Sequence, residues 1–389
     1  MPVGKRIASI DVFRALTMLC MIFVNDLWSL SGVPQWLGHA GINDDFLGFS
    51  DIVFPSFLFV MGMSIPFAIE NRIAKGQANL LIAKHIILRS FALIIMGVFA
   101  VNAEAGISAT TGISLPVYNL FMIVGFFLIW NVYPKTTGWK KYLFQTFQIA
   151  GIILLIWMAF IFRDIRGGYM QTHWWGILGL IGWVYFFCAL IYLVVRRRFL
   201  VHTLILLFFI IFCMITSNQR LGFFEDIIVS NGALQSVTMA GLIISLLFLN
   251  YSGRFSVNRI LSVLIIFGFL MIISGFLIHP FWIISKIRST PTWIFLCIGI
   301  SSLFYVFIYW LVEIKGLEKI FRFISPAGTA TLTCFLLPCI LYSVFELFNF
   351  HFPETILVYP VGLIKSFLLA MFVIGLTMLL GRLNIKLKI

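Results

Sequence analysis

RIASIDVFRALTMLCMIFVND, residues 6–26, is the stretch on which the reading of the fold turns. It is apolar for long enough to cross a hydrocarbon layer of about 30 Å at about 1.5 Å per helical residue. It nevertheless carries Asp11 and Arg14, and no small-residue cleavage site follows it, so it reads as a retained span rather than a signal peptide. Eleven further apolar runs follow, giving spans at 10–30, 51–70, 84–102, 115–133, 143–162, 174–195, 200–217, 232–250, 260–278, 292–313, 329–348 and 357–380. The composition agrees, with 61% hydrophobic and 11% charged residues in 389, against about 25% charged in a soluble domain. Too few polar side chains remain to coat a water-facing globule, and soluble, disordered and disulfide-scaffold classes are excluded. The expected fold class is all-α, a polytopic helical membrane bundle of 11–12 spans forming one domain over 1–389.

The net charge of +13 would suggest nucleic acid in a soluble protein, but in a membrane protein basic residues fix topology. With the N-terminus inside and spans alternating, the inside segments hold 20 Lys and Arg and the outside segments six: Arg163, Arg166, Arg220, Lys286, Arg288 and Lys365. That split places both termini in the cytoplasm and leaves no role for nucleic acid. The six cysteines lie in apolar segments with no CxxC pair, so they read as buried small hydrophobes, not as a metal or redox site.

Polar residues concentrate in the first seventy positions. Asp11 and Arg14 are three apart and share a helix face. They are either an ion pair at the interface or, as intramembrane charges often are, part of a ligand site. Asn25 and Asp26 close the first span. The loop SLSGVPQWLGHAGINDDFLGFSD, residues 29–51, then gathers His39, Asn43, Asp44, Asp45 and Asp51 within 13 positions. Histidine beside carboxylates serves as a general base whose tautomer a carboxylate sets, or as a nucleophile that carries an acyl group. A single histidine with irregularly spaced acids is a poor metal site, so no metal is expected. A solvated loop histidine is the plain structural alternative. His279, in HPFWIISKIRSTPTW (279–293), is placed on the same side as His39. His85, His202 and His173 read as interfacial, and His351 is placed on the outer face with His279. No Walker A, GxGxxG, GxSxG or HExxH pattern is present. The stretch FISPAGTATLTCFLLP (323–338) is rich in small residues that suit close helix packing or a narrow polar channel.

The run RIASIDVFRALTM from Arg6, then FVND, His39-Ala40, and SDIVFPSFLFVMG from Ser50 resembles the heparan-alpha-glucosaminide N-acetyltransferase family and its bacterial members. The resemblance covers residues 6–70. It implies transfer of an acetyl group from cytoplasmic acetyl-CoA, a co-substrate, to an amino sugar or glycan on the other side of a bacterial inner membrane. It implies that His39 is catalytic as general base or acetyl carrier, that Asn25 contributes to the same site, and that Asp51 is the acid of the motif. Asp26, Asn43, Asp45, Asp11 and Arg14 are then expected to bind substrate. Lys315, Lys319 and Arg322, which precede the Ser-Pro-Ala-Gly-Thr stretch on an inside segment, are expected to hold the CoA phosphates. Membrane lipids are the surroundings, and a homodimer is compatible with this reading. Where family members carry a tryptophan shortly after His-Ala, this chain has Gly41 and Ile42, with the added acids Asp44 and Asp45. These changes fall where the acceptor should sit, so a bacterial glycan amino sugar is expected rather than heparan. The rival reading is a transporter or flippase for a sugar- or lipid-linked substrate, in which the same polar groups gate or relay protons; a scaffold is the third.

Overall fold

The computed structural model describes residues 7–134, 136–218 and 231–388. Lys5, Arg6, Lys135 and Arg220, which enter the charge count, lie outside the described residues. The apolar runs become helices because only intrahelical hydrogen bonds satisfy the backbone where water is absent. In chain order they are α1 (Ala8–Asp26), α2 (Phe49–Ala74), α3 (Asn79–Ala105), α4 (Leu115–Trp130), α5 (Trp139–Ile161) and α6 (Gly176–Val195). Then follow α7 (Phe199–Asn218), α8 (Ala233–Tyr251), α9 (Val257–Ile278), α10 (Pro291–Tyr309), α11 (Thr331–Leu347) and α12 (Val361–Arg382). Ten candidate spans among the described residues are long and apolar enough to cross a membrane, and Leu115–Trp130 and Thr331–Leu347 are shorter apolar helices. The protein is a polytopic helical membrane protein. Among the described residues only two isolated β-bridges form, Ser31 with Val358 and Asn131 with Leu387.

The chain divides into two compact units. The first comprises Met1–Trp28, Gly32–Ile87 and Trp183–Ser325; the second comprises Ser29–Ser31, Leu88–Gly182 and Pro326–Ile389. In the second unit α3 and α6 approach through Gly97, where a Cβ would lie 2.3 Å from the Gly179 nitrogen. There α4 and α5 interlock at Gly125 and Gly151, where a Cβ would press on Leu155 and Leu128.

The first unit carries the site. Its centre is α8 against α2, where a Cβ on Gly62 would lie 2.0 Å from Thr238 O and one on Gly241 2.0 Å from Phe59 O. Small residues let the two backbones touch, and dispersion then replaces a hydrophobic drive that lipid does not supply. Ser245 Oγ donates to Met63 O across the same seam at 2.6 Å. Helix α10 turns Trp293, Cys297, Ser301, Tyr305 and Tyr309 inward, all at four-residue spacing. Along that stripe Ser301 bonds Ser56 at 2.9 Å and Tyr305 bonds Ser9 at 3.4 Å, so α10 is fastened to α1 and α2. Those two bonds satisfy the Ser301 and Tyr305 hydroxyls, as buried hydroxyls require.

Candidate functional site

Asp51 organises the site from the first turn of α2. Gly48 is the N-cap residue in extended conformation, and Asp51 occupies the third helical position, where an acid complements the helix dipole and reaches back to free N–H groups. Its carboxylate accepts from Gly48 N–H at 3.3 Å and Ala40 N–H at 2.9 Å. The loop is sewn to this turn by Phe49 N–H to Trp36 O at 2.8 Å and Ser50 Oγ to Leu37 O at 2.6 Å. Glycine is required at 48 because a Cβ there would lie 2.1 Å from Gly38 O. From the other side, Trp293 Nε1–H donates to Asp51 O at 3.2 Å.

This frame carries His39. Its Nδ1 lies 2.9 Å from Asp51 Oδ1. An ionised carboxylate only accepts, so Nδ1 is the donor, and in the neutral form of such a ring Nε2 is the nitrogen that carries the lone pair. The Asp51 side chain is 2% exposed while that of His39 is 47% exposed: the acid is sealed and the imidazole is reachable.

A second loop, between α9 and α10, lies over the first. Asp45 accepts from His279 Nε2 at 2.8 Å and from Ile284 N–H at 2.7 Å. Arg288 donates from Nη2 to Asn43 Oδ1 at 2.9 Å. Between these ties Lys286 Nζ reaches 3.2 Å from His39 Nδ1 and 3.7 Å from Asp51 Oδ1. Desolvation pushes the Asp45 carboxyl up, but the Ile284 N–H and His279 outweigh it and hold the group below its ordinary value. Burial lowers the Lys286 ammonium, and the Asp51 carboxylate opposes that shift.

The structure thus brings together His39, Asp51, Asn43 and Asp45, with Asp44 closing a turn by accepting Gly41 N–H at 2.8 Å. Asn25 stands exposed in the last turn of α1, and among the described residues no hydrogen bond joins it to His39 or Asp51. Asp26 beside it is buried. Asp11 and Arg14 pair at 3.4 Å, and Arg14 also bonds Ser64 of α2. They lie about 16–21 Å along α1 from Asn25, away from His39. Lys315, Lys319 and Arg322 are exposed beyond the far end of α10, which about 28 Å of helix separates from the end near Asp51. There Ser9 N–H donates to Glu313 at 3.1 Å, so the start of α1 and the end of α10 meet. Among the described residues no three His, Cys, Asp or Glu gather as metal ligands would.

Sequence reasoning missed Lys286, Arg288 and Trp293 as site residues. The signal for the first two was in the charge count: they are two of the six basic residues on segments where topology disfavours them.

Residues 6–234 match the family model described as Domain of unknown function (DUF5009). Over 100 residues, 25% of this chain, it is 37% identical to the heparan-alpha-glucosaminide N-acetyltransferase of Mus musculus. Over 98 residues it is 36% identical to the protein of the same name from Homo sapiens. In each case the match spans 14% of the relative's length, which supports a relation at the level of the family. The chain belongs to the DUF5009 family.

Proposed function

We propose that this DUF5009 member is a membrane-embedded acetyltransferase that moves an acetyl group from acetyl-CoA to an amino sugar or glycan. The observation that carries the reading is the His39–Asp51 pair, a reachable imidazole whose Nδ1 is held at 2.9 Å by a sealed carboxylate. The partial identity to an N-acetyltransferase supports the reaction class.

Acyl transfer to an amine needs a proton acceptor and a donor for the oxyanion. His39 Nε2 takes the ammonium proton as the amine nitrogen bonds to the acetyl carbonyl carbon. As the carbon–sulfur bond breaks, His39 returns that proton to the departing thiolate. The products are an N-acetyl group and a free thiol, and His39 ends as it began. Asp51 keeps the proton on Nδ1 throughout, so the same ring nitrogen always faces the reactants. In the two-step variant Nε2 itself bonds to the acetyl carbon, expels the thiolate and then yields the acetyl group to the amine. Asn25, on the same end of α1, donates to the oxyanion or to the acceptor, and Asn43 and Asp45 line the acceptor side.

Lys315, Lys319 and Arg322 suit the phosphates of the donor: all three are exposed, and none forms a salt bridge among the described residues. In this reading they face the cytoplasm and His39 the opposite side. Purified protein heated with acetyl-CoA tests the donor: a Tm that rises with acetyl-CoA concentration is expected. No rise, together with no acetylated product from any amino sugar, overturns the enzyme reading in favour of transport.

A further inference from the structure

We propose that Lys286 is a positioning residue whose ammonium, held over His39 by the α9–α10 loop, keeps the imidazole neutral and its Nε2 available; this rests on the function proposed above.

Asp51 already accepts three N–H donors, from His39, Ala40 and Gly48. Lys286 adds an ion pair to Asp51 Oδ1 at 3.7 Å, longer than a hydrogen bond, to a carboxylate whose hydrogen bonds come from those three donors. The loop is fastened without it, through Asp45 with His279 and Ile284, and through Asn43 with Arg288. A lysine whose side chain is only 27% exposed gives up hydration that a staple of this loop does not require. Its nearest polar neighbour is instead the imidazole, at 3.2 Å.

Two cations at that distance repel. With Asp51 alone, a His–carboxylate pair favours the imidazolium, which has no lone pair and cannot act as base. The ammonium offsets that pull. It also cannot donate to Nδ1 while that nitrogen's proton serves Asp51, so its effect on the ring is through charge.

The other titratable groups on the packed elements do not replace it. Asp45 is engaged by His279, Asp44 by the Gly41 turn, and Arg288 by Asn43. Cys297 of α10 is fully buried near Asp51 and Lys286, and Asp26 is buried at the end of α1.

The test uses the reactivity of His39 itself and needs no transferase activity. Full-length protein in detergent is treated with diethyl pyrocarbonate across pH 5–8, and carbethoxylation of His39 and His279 is read by peptide mass spectrometry. Wild type is compared with Lys286→Met, Lys286→Gln and Lys286→Arg. In Met and Gln the His39 profile should move up by about one pH unit, which is about tenfold slower labelling on its acid limb. Arg should restore the wild-type profile, and His279 should be unchanged in all. If the Met and Gln profiles of His39 overlie wild type, Lys286 is a packing residue and the proposal fails. The same holds if Arg behaves as Met does. A protein that shows the shift but transfers no acetyl group would retain the role of Lys286 and refute the transferase reading alone.

Discussion

His39 and Asp51, twelve positions apart, meet at 2.9 Å because the loop around Trp36, Leu37 and Ala40 is bonded to the first turn of α2. One carboxylate therefore does two jobs. It closes the helix start through Gly48 and Ala40, and it fixes the histidine tautomer. Structural and chemical roles can be separated by substitutions that keep the shape.

Asp51→Asn keeps the volume but replaces an acceptor-only carboxylate by an amide that can donate. The Nδ1 proton is no longer dictated, and acetyl transfer should fall by about 100-fold or more. Lost charge-assisted bonds should destabilise by about 1.5–3 kcal/mol. Comparing kcat/KM with Tm for the same variant checks both. A fall in Tm with full activity would assign Asp51 to the fold alone.

Gly48→Ala places a methyl group 2.1 Å from Gly38 O. Since backbone cannot yield as a flexible side chain can, the loop must shift, at about 1–3 kcal/mol. Thermal unfolding should register a lower Tm together with reduced transfer. The control is Gly375→Ala in α12, where a Cβ meets nothing within 4 Å, and there Tm should hold or rise slightly.

How much of this was legible beforehand follows from what each residue depends on. The helices were, because twelve apolar runs fix them by length alone; the observed bounds differ by a few residues where local chemistry intervenes. Residues 115–133 end early, at Trp130, because Asn131 takes an extended conformation as C-cap and Pro134 follows. Residues 329–348 begin late, at Thr331, because Ala330 leaves the helical region after the short Ser325–Thr329 turn. His39 and Asp51 were legible as a cluster of polar types in one loop. Lys286 was not, since it stands 247 positions from His39, a separation that hides a contact created only by the packing of α10 on α1 and α2. Asp11 and Arg14 share the first span with Asn25, and it is helix length that carries them away from His39.

The pairing of Asp45 with the second loop should respond to pH. Its folded-state value is held below the ordinary 3.8, so the stability it contributes is full above that ordinary value and is lost as pH falls through the lowered one. Hydrogen exchange of the Ile284 N–H, which Asp45 accepts at 2.7 Å, reads this directly. At pH 7, Asp45→Asn should exchange faster than wild type at this amide. Below the lowered value the two should converge. A constant difference across the range would mean that ionisation of Asp45 does not hold the loop.

Replacing Lys315, Lys319 and Arg322 together by Ala should raise the KM for acetyl-CoA several-fold and leave kcat at saturation near wild type, because the lost contacts act on binding alone. The wild-type KM should rise with salt, and the variant's should respond less. Initial rates at two ionic strengths decide it; an unchanged KM would move the donor phosphates elsewhere.

Transfer of a labelled acetyl group from acetyl-CoA to a panel of amino sugars, with wild type beside His39→Ala, tests the central claim most directly. The account predicts labelled sugar from wild type and a loss of about 100-fold or more in the variant, with an unchanged Tm response to acetyl-CoA. Equal product from His39→Ala would contradict it.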